Sequence, residues 1–128
     1  MTIRIVCCDD EAHITRAVSM KLSKAGFDVE THGDGQAGFE AIQREKPALL
    51  ITDLQMPRLD GLQLCQKLQA DESFRDIPIL LLTAKGFELE ESRIQAEYGV
   101  FQVVVKPFSP RELLRTVQET LGILATKN

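Results

Sequence analysis

Two hydrophobic periods alternate from end to end of this chain, and that alternation narrows the fold more than any other feature. Short apolar runs rich in branched residues are strand signals, and segments whose apolar residues recur every three or four positions are helix signals. Ile3 to Cys8 is the first run; Ile14, Ala17, Val18, Leu22 and Ala25 then keep helical spacing until Gly26 closes the segment. Phe27, Val29 and Thr31 alternate with Asp28, Glu30 and His32, as in a half-exposed edge strand, ahead of a Gly33-Asp34-Gly35 turn. A helix over Gln36–Lys46 stops at Pro47. Ala48–Thr52 and Ile77–Leu82 are nearly continuous apolar runs, as expected of strands buried on both faces of a parallel sheet, and Leu62, Leu64, Cys65 and Leu68 mark a helix between them. The charged, weakly periodic stretch Gly86–Tyr98 reads as a fourth helix, and Val100–Val105 as a fifth strand. Ser109-Pro110-Arg111-Glu112 has the pattern of a capping box with proline at the first helical position, opening a last helix whose apolar face is Leu113, Leu114, Val117, Leu121 and Leu124.

Five strand–helix units in succession predict an α/β fold, a five-stranded parallel sheet with helices on both faces, because each crossover must be right-handed and return beside the sheet. At 128 residues the pattern uses the whole chain as one domain, 1–128, large enough to bury a core without disulfide or metal staples. Fifteen Lys and Arg against nineteen Asp and Glu leave a net charge of -4 and no basic stripe to neutralise a phosphate backbone, which argues against direct nucleic-acid binding. No apolar run approaches the ~20 residues of a membrane span, and acids interrupt the start before a signal-peptide core could form, so a cytoplasmic protein without a membrane partner is expected. Cys7, Cys8 and Cys65 lack metal-ligand spacing and read as packing residues in a reducing compartment.

In an open parallel sheet, ligands bind beyond the carboxyl ends of the strands, where successive connections leave toward opposite faces. The residues expected there are Asp9-Asp10-Glu11, Thr31-His32, Asp53, Thr83 and Lys106-Pro107. Most have an ordinary explanation: acids ahead of a helix complement its dipole and cap it, Thr83 is a β-branched strand residue, and Lys106 is a strand-end charge. Asp53 is harder to explain so, because it opens the loop DLQMPRLDG with no helix immediately behind it. Carboxylates brought within roughly 4 to 6 Å repel by a few kcal/mol per pair at an effective dielectric of about 20, unless a cation lies among them. An oxygen donor set with no His or Cys nearby suits Mg²⁺, which completes its shell with water and phosphate oxygens, as in phosphoryl transfer.

The motifs CCDDE, ITDLQMPRLDG, LLTA and VVKPF, in this order across residues 3–124, resemble the receiver domain of bacterial two-component response regulators. The resemblance implies the flavodoxin-like strand order 2-1-3-4-5 and a role in a phosphorelay. It implies that Asp53 is the phospho-acceptor and that Asp9, Asp10, Asp53 and the Gln55 backbone carbonyl hold Mg²⁺. Thr83 and Lys106 would contact the phosphoryl group, and Pro107, after a cis bond, would place the lysine. The donor would be a sensor histidine kinase or a histidine phosphotransfer protein. The chain would assist only its own phosphorylation and dephosphorylation, and would signal to an unidentified protein target, or to a second copy in a homodimer, through the fourth helix, fifth strand and fifth helix. Gln55 and Lys85 stand at positions that tune phosphoryl lifetime in the family.

The chain departs from the family at Val103, where an aromatic residue usually turns inward on activation. Phe101 is on the same strand face by period two but lies two residues early, and is expected to be a core or surface-patch residue. The 86–98 segment, with its weak pattern, is the expected two-state element. His13 and His32 read as a helix-start and an edge-strand residue, and Met56 as part of the loop motif. Only Thr126-Lys127-Asn128 follow the last helix, so no output domain is expected, whether the chain stands alone or is cut from a larger regulator. Three other readings remain: an aspartate-nucleophile phosphohydrolase, opposed by Gln55 where a general acid is needed; a flavodoxin-like nucleotide binder, opposed by acids where phosphate would sit; and a vestigial receiver that binds partners without phosphorylation.

Overall fold

The central strands are nearly continuous apolar runs because the sheet they form is covered on both sides. The structure, a computed structural model, describes residues 2–84 and 91–122. Five strands, β1 (Arg4–Cys8), β2 (Asp28–His32), β3 (Leu49–Asp53), β4 (Ile79–Ala84) and β5 (Gln102–Lys106), alternate with α1 (Ala12–Lys24), α2 (Gly35–Arg44), α3 (Gly61–Gln69), α4 (Glu91–Tyr98) and α5 (Pro110–Thr120). All pairings are parallel and the order is β2-β1-β3-β4-β5, as expected.

Side chains alternate faces along each strand, so each run feeds two cores. Val6, Cys8, Leu50, Ile79 and Leu81 face α2, α3 and α4, where they meet Ile42, Leu64, Cys65, Leu68 and Ile94. Ile5, Cys7, Leu49, Ile51, Leu80 and Leu82 face the other way, against Val18 and Leu22 of α1 and Leu113 and Val117 of α5. Burying each such Leu or Ile contributes about 1.5–3 kcal/mol, and the central strands share that stabilisation with the helix faces packed on them. The three cysteines are buried free thiols; burial pushes the Cys8 and Cys65 thiols up to about 12, which keeps them protonated packing groups.

The boundaries differ from expectation where backbone donors decide them. β4 starts at Ile79, two residues after the predicted start, because Pro78 has no N–H for the ladder. β5 starts at Gln102 and not Val100: Gly99, at φ 69, ends α4, and the Phe101 N–H reaches the Ile79 carbonyl at 2.8 Å before the strand begins. α2 stops at Arg44, because Glu45 is extended. At α5, Ser109 accepts from the Glu112 N–H at 3.3 Å with Pro110 in the first position, but the reciprocal bond of a capping box does not form. It is α3 that has the full box: Asp60 accepts from the Gln63 N–H at 2.8 Å and the Gln63 side chain from the Asp60 N–H at 2.9 Å. α1 has Glu11 in its N-cap position with no side-chain cap bond, so the capping explanation of that acid does not hold.

The second face of β2 is half-buried and not simply solvated. Glu30 accepts from Arg4 at 2.7 Å and from Arg44 at 2.6 Å, and pairs with His32 at 2.7 Å. The part of the predicted fourth helix that is described, Glu91–Tyr98, is helical and buries Ile94; Lys85, residues 86–90 and Leu124 lie outside the described residues. Among the described residues no helix is long and apolar enough to cross a membrane.

Candidate functional site

The parallel register brings the carboxyl ends of β1, β3, β4 and β5 to one rim: Cys8 pairs with Thr52, Asp53 with Leu82, Thr83 with Val105 and Ala84 with Lys106. Asp9 follows β1, Asp53 and Lys106 are the last residues of β3 and β5, and Thr83 is the penultimate residue of β4. The His32 carbonyl holds the Asp9 N–H at 3.0 Å, and the Leu82 carbonyl holds the Leu54 N–H at 2.9 Å, so neighbouring strands fix the backbone on either side of the acids. Gly61 opens α3 directly against the Asp53 carbonyl, where a Cβ would collide.

Asp9 and Asp53 are 1% and 7% exposed, Asp10 is exposed, and one carboxylate oxygen from each lies within 4.8 Å of the other two. Lys106 Nζ sits between them, 2.8 Å from Asp9 Oδ2, 3.1 Å from Asp53 Oδ1 and 2.8 Å from Glu11 Oε1. Burial raises the Asp53 carboxyl above its usual range, the Asp9 charge raises it further, and Lys106 only partly opposes them. For Lys106 burial works toward a lower pKa, but its ion pairs with Asp9, Glu11 and Asp53 outweigh that and hold it above its ordinary value. Lys106 in turn holds Glu11 below the usual carboxylate range.

One ammonium thus pairs with three carboxylates, and Asp10 adds a fourth negative charge beside them. At an effective dielectric of about 20, charges this close repel by about 3–4 kcal/mol per pair, less for exposed Asp10, so the cluster favours a further cation. Among the described residues two buried polar side-chain atoms also lack hydrogen-bond partners, Asp9 Oδ2 and Thr83 Oγ1. Asp9 Oδ2 touches Lys106 as an ion contact without hydrogen-bond alignment, so a lone pair stays available; Asp9 Oδ1 is taken by the Glu11 N–H at 2.9 Å. A set of carboxylate oxygens with an unpartnered lone pair fits a hard divalent cation such as Mg²⁺. Asp10, Glu11, Asp53, Gln55, Thr83 and Lys106 line a cleft of about 330 Å³ beside this cluster, polar and large enough for a phosphoryl group with its water.

Of the residues singled out at the strand ends, Asp9, Asp10, Glu11, Asp53, Thr83 and Lys106 therefore meet in one place, and Thr31 and His32 do not. Sequence reasoning missed Glu11 as a partner of Lys106, because their contact spans 95 positions and only the sheet closes it. Pro107 follows a cis bond, as the resemblance implied. Val103 is partly buried against the core on the α4 side, while Phe101 precedes β5 and is 53% exposed, a surface residue.

The profile of the response regulator receiver domain matches residues 5–118. The "Probable transcriptional regulator ycf27" of Porphyridium aerugineum is 38% identical over 118 residues, covering 92% of this chain and 48% of that protein. The chain thus spans about half the length of the curated relatives it matches. Among solved structures, the chemotaxis protein CheY4 of Vibrio cholerae is 28% identical with a TM-score of 0.85, covering 93% of this chain and 98% of that one. The receiver domain of the sensor histidine kinase PA1611 of Pseudomonas aeruginosa, with a magnesium ion coordinated in its active-site cleft, is 26% identical with a TM-score of 0.82, covering 95% and 99%. With motifs, strand order and matches in agreement, this chain belongs to the response regulator receiver domains of two-component signalling.

Proposed function

We propose that this receiver takes a phosphoryl group onto Asp53 and that its charge state is read by another protein. The convergence of Asp9, Asp10 and Asp53 within 4.8 Å, with Lys106 between the two buried acids, carries this reading. Asp9, Asp10, Asp53 and the Gln55 backbone carbonyl would hold Mg²⁺, which when bound neutralises charge on the phosphoryl oxygens. An Asp53 oxygen forms the bond to phosphorus in line with the breaking phosphorus–nitrogen bond of a histidine donor, on a sensor kinase or phosphotransfer protein. Lys106 offsets charge on the transferring group, and the Thr83 hydroxyl, without a partner at rest, is a ready donor to the new phosphoryl oxygens. The product is an acyl phosphate, and the chain promotes only its own phosphorylation and dephosphorylation.

The reading face is formed by α4, β5 and α5, where Phe101 and Val105 stay exposed in a protein whose other large apolar residues are mostly buried. A protein target, or a second copy of this chain, is the expected occupant; a net charge of -4 argues against nucleic acid contacting this domain itself. Incubation with Mg²⁺ and acetyl phosphate or beryllofluoride is expected to modify or load the wild type and leave Asp53→Asn unchanged, seen by intact mass and by NMR shifts on this face. An inert wild type overturns the reading. Val103 in place of an aromatic switch favours one second reading, a contact module independent of phosphorylation, for which partner affinity would be the same for wild type and Asp53→Asn with and without donor.

A further inference from the structure

We propose that the Arg58–Asp34 ion pair is a latch that positions the loop after Asp53, and so sets how tightly the acid cluster takes Mg²⁺. The inference rests on the metal-binding reading above, and the pair itself touches none of the reacting atoms. Its first support is the backbone of the loop. The Leu59 N–H donates to the Pro57 carbonyl at 2.8 Å, closing a three-residue turn with Arg58 at its centre and φ at 69°. Such a turn is rare and strained, and Arg58 is the one non-glycine residue at positive φ among the described residues. A long side chain keeps that conformation only where its surroundings over-determine it.

Those surroundings are visible on both sides of the turn. Inside, Leu54 and Met56 are buried in the core, and the Gly61 N–H ties back to the Leu54 carbonyl at 2.8 Å. Outside, Arg58 Nη2 donates to both oxygens of Asp34, at 3.0 and 3.1 Å. Asp34 is itself fixed, because it caps α2 by accepting from the Ala37 N–H at 2.8 Å. The next residue, Gly35, lacks the side chain that would strike the Leu59 backbone, so loop and helix end can close on each other. Asp34 also lies two residues after His32, whose carbonyl holds the Asp9 backbone. The latch therefore ties the connection that holds Asp9 to the loop that carries Gln55, the two sides of the cleft.

The sign of one substitution separates positioning from simple charge. Removing a positive charge near an acid cluster should tighten cation binding by field alone, whereas releasing the loop should weaken it. Titrating Mg²⁺ into the full chain by calorimetry at constant ionic strength, we expect Arg58→Gln to bind about three- to ten-fold more weakly, the range of indirect positioning effects. Asp34→Asn, which keeps an oxygen for the α2 cap, should weaken binding similarly, and the double variant should be no worse than either single one. Arg58→Lys should recover part of the loss. Arg58→Gly, which relieves the positive φ and guards against a folding defect, should still bind weakly while melting no lower than wild type. Unchanged or tighter Mg²⁺ binding by Arg58→Gln and Arg58→Gly, beside a wild type that binds, overturns the latch alone. A wild type that takes no Mg²⁺ overturns the metal-binding reading and the latch with it.

Discussion

Asp53 stands in a place that disfavours its charge. Burial and the neighbouring Asp9 both raise its pKa, so above that pKa its ionisation works against folding. Asp53→Asn removes one excess negative charge and leaves Lys106 with Asp9 and Glu11; the metal-free variant is expected to melt several degrees above wild type by calorimetry, while accepting no phosphoryl group. Lys106→Met does the reverse, leaving buried carboxylates without their cation, and should cost about 3 kcal/mol in metal-free urea unfolding, part of it recovered with Mg²⁺. On the proposed function its phosphorylation rate should fall further than its Mg²⁺ affinity, since the lysine would meet the phosphoryl group and not the cation. Glu30 is the opposite case. Bonds from Arg44 and then Arg4 lower its pKa from 4.5 to about 2, so its contribution is present above 4.5 and is lost as pH falls toward 2. The stability difference between wild type and Glu30→Gln, measured by urea unfolding, should shrink over that interval.

At the scale of elements, the helix that follows the Asp53 loop has the fullest N-terminal cap among the described residues. α3 begins at Gly61, against the Asp53 carbonyl, and its reciprocal Asp60–Gln63 box fixes where the loop ends. Asp60→Ala should cost about 1 kcal/mol, and Ser109→Ala at the one-sided α5 cap less, both read from denaturant midpoints. The residues D-G-L-Q carry the signal of that box, but they were legible only as the end of a loop, because Asp60 follows the strained turn without any apolar period before it. The strand ends were displaced for a similar reason. Apolar character marks Ile77 and Val100, both buried, but pairing starts later, after Pro78, which has no N–H to give, and at the Phe101 N–H, which meets the Ile79 carbonyl.

For the molecule as a whole, the proposed Mg²⁺ site at the rim of the sheet would link folding to metal. Mg²⁺ at about ten times its Kd should stabilise the chain by about 1.4 kcal/mol and raise Tm by roughly 4–6 °C, reversed by EDTA and largely lost in Asp10→Asn. The sequence by itself determined the repeating strand–helix architecture and, through continuous apolar runs, a sheet covered on both faces. It also determined which residue types stand after each strand, because period and punctuation are local properties of the chain. Only the tertiary structure decided what those residues do to one another. Glu11 and Lys106, Arg58 and Asp34, and Glu30 with Arg4 and Arg44 are pairs separated by 95, 24, 26 and 14 positions. Such contacts depend on strand register and crossover direction, which bring distant charges together, and no local period in the sequence encodes the distance between them.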